Sequence, residues 1–440
     1  VKPVNNSDVL YVGLMTFALF LGAGNLIFPP ELGQQAGDQL GWAMAGFLLT
    51  GVGLPLLGVV AAARMGGGLS RITQDLPPLL ATLIGLVLYL SIGPLFAAPR
   101  TGLVAYEFSV MPLLGESAGD ASQLIYTFGF FGLSLLAAMF PGRIVDSVGK
   151  LITPLLVLVL LLIGGGTLLF PQGEMSGAVS QMEQGAFGSG FLAGYQTLDA
   201  LASLAFGIVI ITALKGRGVH DEKALTGATI KAGIIAAAGL SMVYMALGFL
   251  GATSHGIAYG TDNGAQMISL YITGIFGDWG QWLLAATMTL ACLSTSIGLV
   301  TACSEYFHEQ FPRVSYRVFA VAMTLACVLV ANVGLEQLIA LTIPALLVIY
   351  PVCIGLIVLC LIRPSLANPR RTFAMTLTPM FIVGLIDGLS GTGLALFARA
   401  ADAISVLPFS ESGMGWLVPG LAALVLSEAS VRIRQNSAAA

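Results

Sequence analysis

Residues 20–30 read Phe20-Leu21-Gly22-Ala23-Gly24-Asn25-Leu26-Ile27-Phe28-Pro29-Pro30, inside an otherwise apolar run. Two glycines, an asparagine and a proline pair make a poor continuous helix, because glycine costs backbone entropy and proline lacks the N–H that a helix interior uses. In lipid, a broken helix bares N–H and C=O groups that hydrocarbon cannot satisfy. Such a break persists only where it lines a cavity or binds something. A second interruption is expected around Gly194-Tyr195, ahead of Asp199 and Ser203-Leu204-Ala205-Phe206-Gly207. Glycine also serves close packing of membrane helices, and the chain has 55 of them, so one Gly-x-Gly alone says little. Position carries the weight: the two strongest interruptions open two successive sets of five spans, as in carriers built from inverted repeats.

The remainder of the chain is membrane-like throughout. Apolar residues make up 57% and charged residues 9%, where a soluble chain carries about a quarter charged. Mean hydropathy is +0.92. At about 20 apolar residues per crossing, twelve spans are expected, at roughly 8–30, 40–63, 78–111, 119–140, 149–170, 188–214, 224–252, 278–304, 314–333, 336–362, 373–396 and 413–431. The stretch 263–276 is too short to cross and reads as an interfacial or re-entrant helix. This predicts an all-α polytopic membrane protein in one domain, 1–440. It comprises a five-helix repeat over 8–170, an inverted one over 188–362, and two accessory helices over 373–431. With the N-terminus inside, every Lys and Arg falls on the cytoplasmic side except Arg399 outside and Arg100 and Lys231 within spans. Both termini are therefore expected in the cytoplasm. The first apolar segment lacks a basic leader and a cleavage site, so it reads as a retained helix rather than a signal peptide.

Half-helix N-termini suit a carboxylate, and freed carbonyls suit Na⁺ or an ammonium. A zwitterionic amino acid offers both groups. The run from Gly22 to Pro30 closely resembles the first helix of the bacterial branched-chain amino-acid:cation symporter family. Pro94-Leu95-Phe96-Ala97-Ala98-Pro99-Arg100-Thr101 and Gly194-Tyr195-Gln196-Thr197-Leu198-Asp199 are similar to the same family, and the likeness covers essentially the whole chain. The resemblance implies uptake of leucine, isoleucine and valine coupled to Na⁺, or alternatively to H⁺, by alternating access across the bacterial inner membrane. It also implies a scaffold of five plus five inverted helices with helices 1 and 6 broken. On that scaffold Gly22, Ala23, Gly24 and Asn25 would hold the substrate carboxylate and amine, Ser203 and Phe206 would flank its side chain, and Tyr89 would reach its carboxylate. A Na⁺ site would combine carbonyls near Ala18 and Leu21 with Ala291, Ser294 and Thr295, whose hydroxyls otherwise bond to their own helix. Ser296 adjoins them, so the register is open by one residue.

Charges inside a bilayer are functional candidates by default. Asp199, near the midplane, has three open roles: partner of the substrate ammonium, proton-coupling group, or anchor for a neighbouring helix. Arg100 either gates with a carboxylate such as Glu107 or Asp199, or snorkels to the interface. Asp387 is expected to pack a helix pair and Lys231 to snorkel. The three histidines and five cysteines have no metal-ligand or disulfide spacing, and no P-loop pattern is present. No cofactor and no nucleic-acid partner is expected. A membrane-embedded enzyme or channel-like sensor is the rival from another class. An enzyme would need convergent His, Asp or Cys groups at one interface, and a channel a pore ring.

Overall fold

The computed structural model describes residues 5–115, 119–139, 153–175, 177–258, 261, 263–391 and 395–439. Lys2, Arg143, Lys150 and the start of the expected fifth span lie outside them. The described residues are helical with no strand. Short turns aside, the helices are α1 (Asn6–Phe20), α2 (Ala23–Ala36), α3 (Leu40–Leu48), α4 (Leu54–Arg64), α5 (Pro78–Leu90), α6 (Ala97–Ser109), α7 (Asp120–Ala138), α8 (Thr153–Leu169) and α9 (Ser180–Tyr195). They continue as α10 (Asp199–Gly216), α11 (Glu222–Ala252), α12 (Gly264–Gln310), α13 (Tyr316–Ala331), α14 (Leu335–Ile362), α15 (Pro369–Ser390), α16 (Ala395–Ile404) and α17 (Leu417–Ala439). Among the described residues, eight helical segments are long and apolar enough to cross a membrane, and three shorter apolar helices accompany them. Large apolar side chains such as Ile125, Leu136, Leu169 and Leu329 are exposed on the outside, as a lipid-facing surface allows.

Both expected interruptions are present. Between α1 and α2, Leu21 leaves the helical region in a tight turn that bonds Gly22 N to Phe20 O, and Gly22 is extended. Between α9 and α10, the chain turns through Gln196, Thr197 and Leu198, and Leu198 sits in the left-handed region at φ +64°. That conformation costs a non-glycine residue about 1–2 kcal/mol, so the surrounding packing holds it. A further interruption differs from the sequence expectation. Span three is not continuous: a five-residue π turn, Ser91–Leu95, with Gly93 non-helical and Pro94 unable to donate, separates α5 from α6. In α12 the helix breaks at Gly277, φ +65°, which separates the short helix expected over 263–276 from the long one after it, in line with the sequence reading. The amphipathic α16, between the two accessory helices, was not anticipated.

The interrupted helices pack crosswise. Both α1 and α2 lie along α11, while α9 lies along α3 and α10 along α4. Backbone meets backbone in each pairing. A Cβ added to Gly251 of α11 would stand 1.9 Å from the Pro30 carbonyl oxygen of α2, and one on Gly190 of α9 would stand 1.9 Å from that of Ala43 of α3. Small residues thus set the helix spacing by contact rather than by hydrophobic drive, which lipid does not supply. Gly251→Leu is expected to destabilise the fold by about 3 kcal/mol, the upper end for overpacking because the opposing atom is backbone. Loss of the monodisperse species on heating, followed by size-exclusion chromatography, measures it.

Candidate substrate and ion site

The two interruptions meet at one cavity. It is lined by Leu19, Phe20, Gly22, Ala23, Gly24 and Asn25 from the first break and by Thr197, Leu198, Asp199, Ala202 and Phe206 from the second. Ala97, Arg100 and Thr101 of α6, with Thr295 and Leu299 of α12, complete the wall. The N-termini of α2 and α10 open on it, so two sets of N–H groups without helical acceptors border the same space. The cavity amounts to about 30 Å³. That holds a water molecule but not a leucine, so the walls must separate to admit one.

A buried polar cluster forms the acidic end. Asn25 Oδ1 accepts from Gly22 N (3.2 Å), which caps α2, and its Nδ2 donates to Asp199 Oδ2 (2.5 Å) and to the Tyr244 hydroxyl oxygen. Tyr244 in turn donates to Asp199 Oδ2 at 3.2 Å. One carboxylate oxygen thus takes donors from both α2 and α11, locking the two breaks together. Thr197 Oγ1 accepts from Asp199 N (3.3 Å) and donates to Gly194 O (2.9 Å), which ties the second turn closed. The same cavity is also lined by Arg100, 1% exposed, with its guanidinium over the Phe28 ring and Nη1 donating to Gln196 O at 2.5 Å. Phe20 and Phe206, edge to face at 5.8 Å between centroids, make the apolar wall.

Next to the first break, Thr295 Oγ1 lies 3.5 Å from Leu21 O, and Ser294 Oγ donates to Ala291 O at 2.7 Å. Gly22 N donates to Phe20 O and Asn25 Oδ1 rather than to Ala18 O, its helical acceptor. The Ala18 carbonyl is thereby released from the helix. Ser296 pairs with Ser134 Oγ at 2.9 Å, facing α7, which assigns Thr295 rather than Ser296 to the break.

Gly22, Ala23, Gly24, Asn25, Asp199 and Phe206 therefore converge, with Leu21 and Thr295 beside them. Tyr89 and Ser203 do not join them. Tyr89 stacks on Tyr306 with centroids 4.0 Å apart, and Ser203 donates to Ala200 O and presses on Gly58 of α4. Tyr244, Thr197 and Thr101 enter the site unpredicted. Arg100 neither snorkels nor pairs with Glu107, whose carboxylate accepts from Asn263 (3.4 Å). The geometry offers an acidic pole, a basic pole and an apolar wall, with neutral oxygens alongside.

A family model described as branched-chain amino acid transport protein matches residues 5–434. The chain belongs to that family. Similar members include the branched-chain amino acid transport system 2 carrier protein of Pseudomonas aeruginosa, 46% identical over 96% of this chain and 95% of the relative. The branched-chain amino acid permeases BraB of Bacillus subtilis (43%; 95% and 94%) and BrnQ of Escherichia coli (38%; 96% and 95%) are also similar. As a member of the branched-chain amino acid transport family, the chain is a membrane transport protein and not an enzyme. Its fold is shared with solved transporters. Inward-facing Mhp1 matches with TM-score 0.61 at 13% identity over 97% of this chain and 90% of that one. MhsT in complex with L-phenylalanine matches with 0.53 at 15% over 95% and 98%. Likeness at that identity extends to the helix arrangement alone.

Proposed function

We propose that this protein imports leucine, isoleucine and valine across the bacterial inner membrane by Na⁺-coupled symport. The observation that carries this reading is one cavity shared by two interrupted helices, lined by both Asp199 and Arg100 and walled by Phe20 and Phe206. A zwitterion with a branched aliphatic side chain matches both features, because such a ligand wants an apolar wall and few, well-placed polar groups. The names of the relatives supply the same substrate class. Na⁺ would be held by oxygens of Ala18, Leu21, Ala291, Ser294 and Thr295, a neutral donor set that suits a hard monovalent cation.

Twelve spans with both termini cytoplasmic fit the helix boundaries, which fall within several residues of the expected ones, and the distribution of Lys and Arg. The crosswise packing supports two inverted repeats: the pair α1–α2 lies on the helix that follows the second break, and α9–α10 on the helices that follow the first. Alternating access then separates these packed units on one side at a time. At the expected cytoplasmic end, Arg363 after α14 holds Asp75 by Nε–Oδ2 (2.5 Å) and Nη2–Oδ1 (3.2 Å), closing the loop that follows α4 against α14.

One observation favours proton coupling as a second reading: Asp199 is a buried carboxylate at the cavity wall. The substrate class is tested by uptake of labelled leucine into proteoliposomes. Isoleucine and valine are expected to compete about as well as unlabelled leucine, and alanine and lysine at least about tenfold less well, since each lost or charged side chain forfeits burial against Phe20 and Phe206. Equal competition by alanine would overturn the branched-chain assignment.

A further inference from the structure

Arg100 is fully buried, yet its Nε and Nη2 have no hydrogen-bond partner. Its third nitrogen, Nη1, is committed to Gln196 O, and the ring of Phe28 covers one face. A buried cation with idle donors is costly unless an anion completes it. Nε and Nη2 share one edge of the guanidinium, the edge that grips a carboxylate through two parallel N–H···O bonds. The same chain uses that edge elsewhere, where Arg363 Nε and Nη2 hold Asp75.

No side chain hydrogen-bonds Nε or Nη2, although the Glu31 carboxylate acts on the guanidinium at longer range. Asp199 is engaged by Asn25 and Tyr244, and Glu31 Oε1 accepts from Gly264 N at 3.1 Å. Arg100 nevertheless lines the same cavity as Asp199, and Gly24 lets α2 pass close to it: a Cβ there would stand 3.2 Å from Nη1 and 3.1 Å from Gln196 O. We propose that Arg100 is the carboxylate anchor of the transported amino acid, gripping it through Nε and Nη2 while Asp199 receives its ammonium. The assignment rests on the amino-acid transport reading above. It also gives the substrate a mechanical role. Arg100 sits on α6, its Nη1 holds the second break, and Phe28 belongs to α2, so a bound carboxylate fixes all three together.

Competition for labelled leucine on the purified full-length protein with saturating Na⁺ tests this. Leucinamide, which keeps the ammonium and the side chain but lacks the carboxylate, is the control ligand. Arg100→Gln is expected to weaken leucine binding about a hundredfold with leucinamide affinity unchanged, so the preference for leucine collapses. Arg100→Lys keeps the charge without the fork and is expected to cost about tenfold while leucine remains preferred. An unchanged melting temperature checks that each variant is folded, and if Arg100→Gln does not fold, Arg100→Lys carries the test. Native leucine affinity in either variant, or equal loss of leucine and leucinamide, overturns the anchor. Native protein that binds no leucine overturns the transport reading, and the anchor with it.

Discussion

Asp199→Asn is expected to lower leucine uptake by a factor of roughly thirty to several thousand. Asparagine keeps the shape of the side chain and removes its charge. In the native cluster a single carboxylate oxygen accepts from Asn25 and Tyr244. An amide either turns its NH₂ toward those donors or presents a weaker acceptor, and in both cases the acidic pole facing the substrate ammonium is gone. Removing one member of a buried, hydrogen-bonded charge pair costs about 2–5 kcal/mol, a factor of roughly thirty to several thousand. Counterflow separates the three roles open for this residue. An ammonium partner predicts that Asp199→Asn loses exchange of internal for external leucine as well as net uptake. A proton-coupling group predicts that exchange survives and only gradient-driven accumulation is lost. A pure helix anchor predicts a lower melting temperature with leucine affinity intact in the protein that remains folded.

The second large effect concerns the ion. Ser294→Ala with Thr295→Ala removes the Thr295 hydroxyl, 3.5 Å from Leu21 O, and the adjacent Ser294 hydroxyl, which bonds Ala291 O, and leaves the helix backbone untouched. At about 1–1.5 kcal/mol for each lost ligand, the Na⁺ concentration giving half-maximal leucine uptake should rise by about thirty- to a hundredfold. Maximal uptake at saturating Na⁺ should change much less. An unchanged Na⁺ dependence would remove these hydroxyls from the ion site. Ser296→Ala serves as the neighbouring control, because Ser296 faces Ser134 on α7, and it is expected to leave Na⁺ dependence unaltered.

How legible the site was in the sequence depended on how local its signals are. The first break is written in residue types that disfavour helix, so Gly22 to Asn25 could be placed directly. The second break was located only approximately, because its left-handed residue is Leu198 and not a glycine; packing holds that turn, and no local propensity marks it. Asp199 and Arg100 stood out as charges in lipid, but only the fold shows that they line one cavity. Tyr244 carries no sequence signal: it is one aromatic in a 31-residue apolar helix, and its role comes from lying opposite Asn25, 219 positions away. Tyr89 went to another place because the π turn after it, at Gly93-Pro94, separates the helix that carries it from the one that carries Arg100. Ser203 follows Asp199 by one helical turn, yet its hydroxyl returns to its own backbone against Gly58.

Coupling is tested most directly by accumulation of labelled leucine in proteoliposomes under an inward Na⁺ gradient, with internal and external pH equal and K⁺ replacing Na⁺ in the control. A Na⁺-coupled symporter concentrates leucine above the external level with Na⁺ and only equilibrates it with K⁺. Accumulation driven by a pH gradient alone, at the same rate with or without Na⁺, would contradict Na⁺ symport and move the coupling to Asp199.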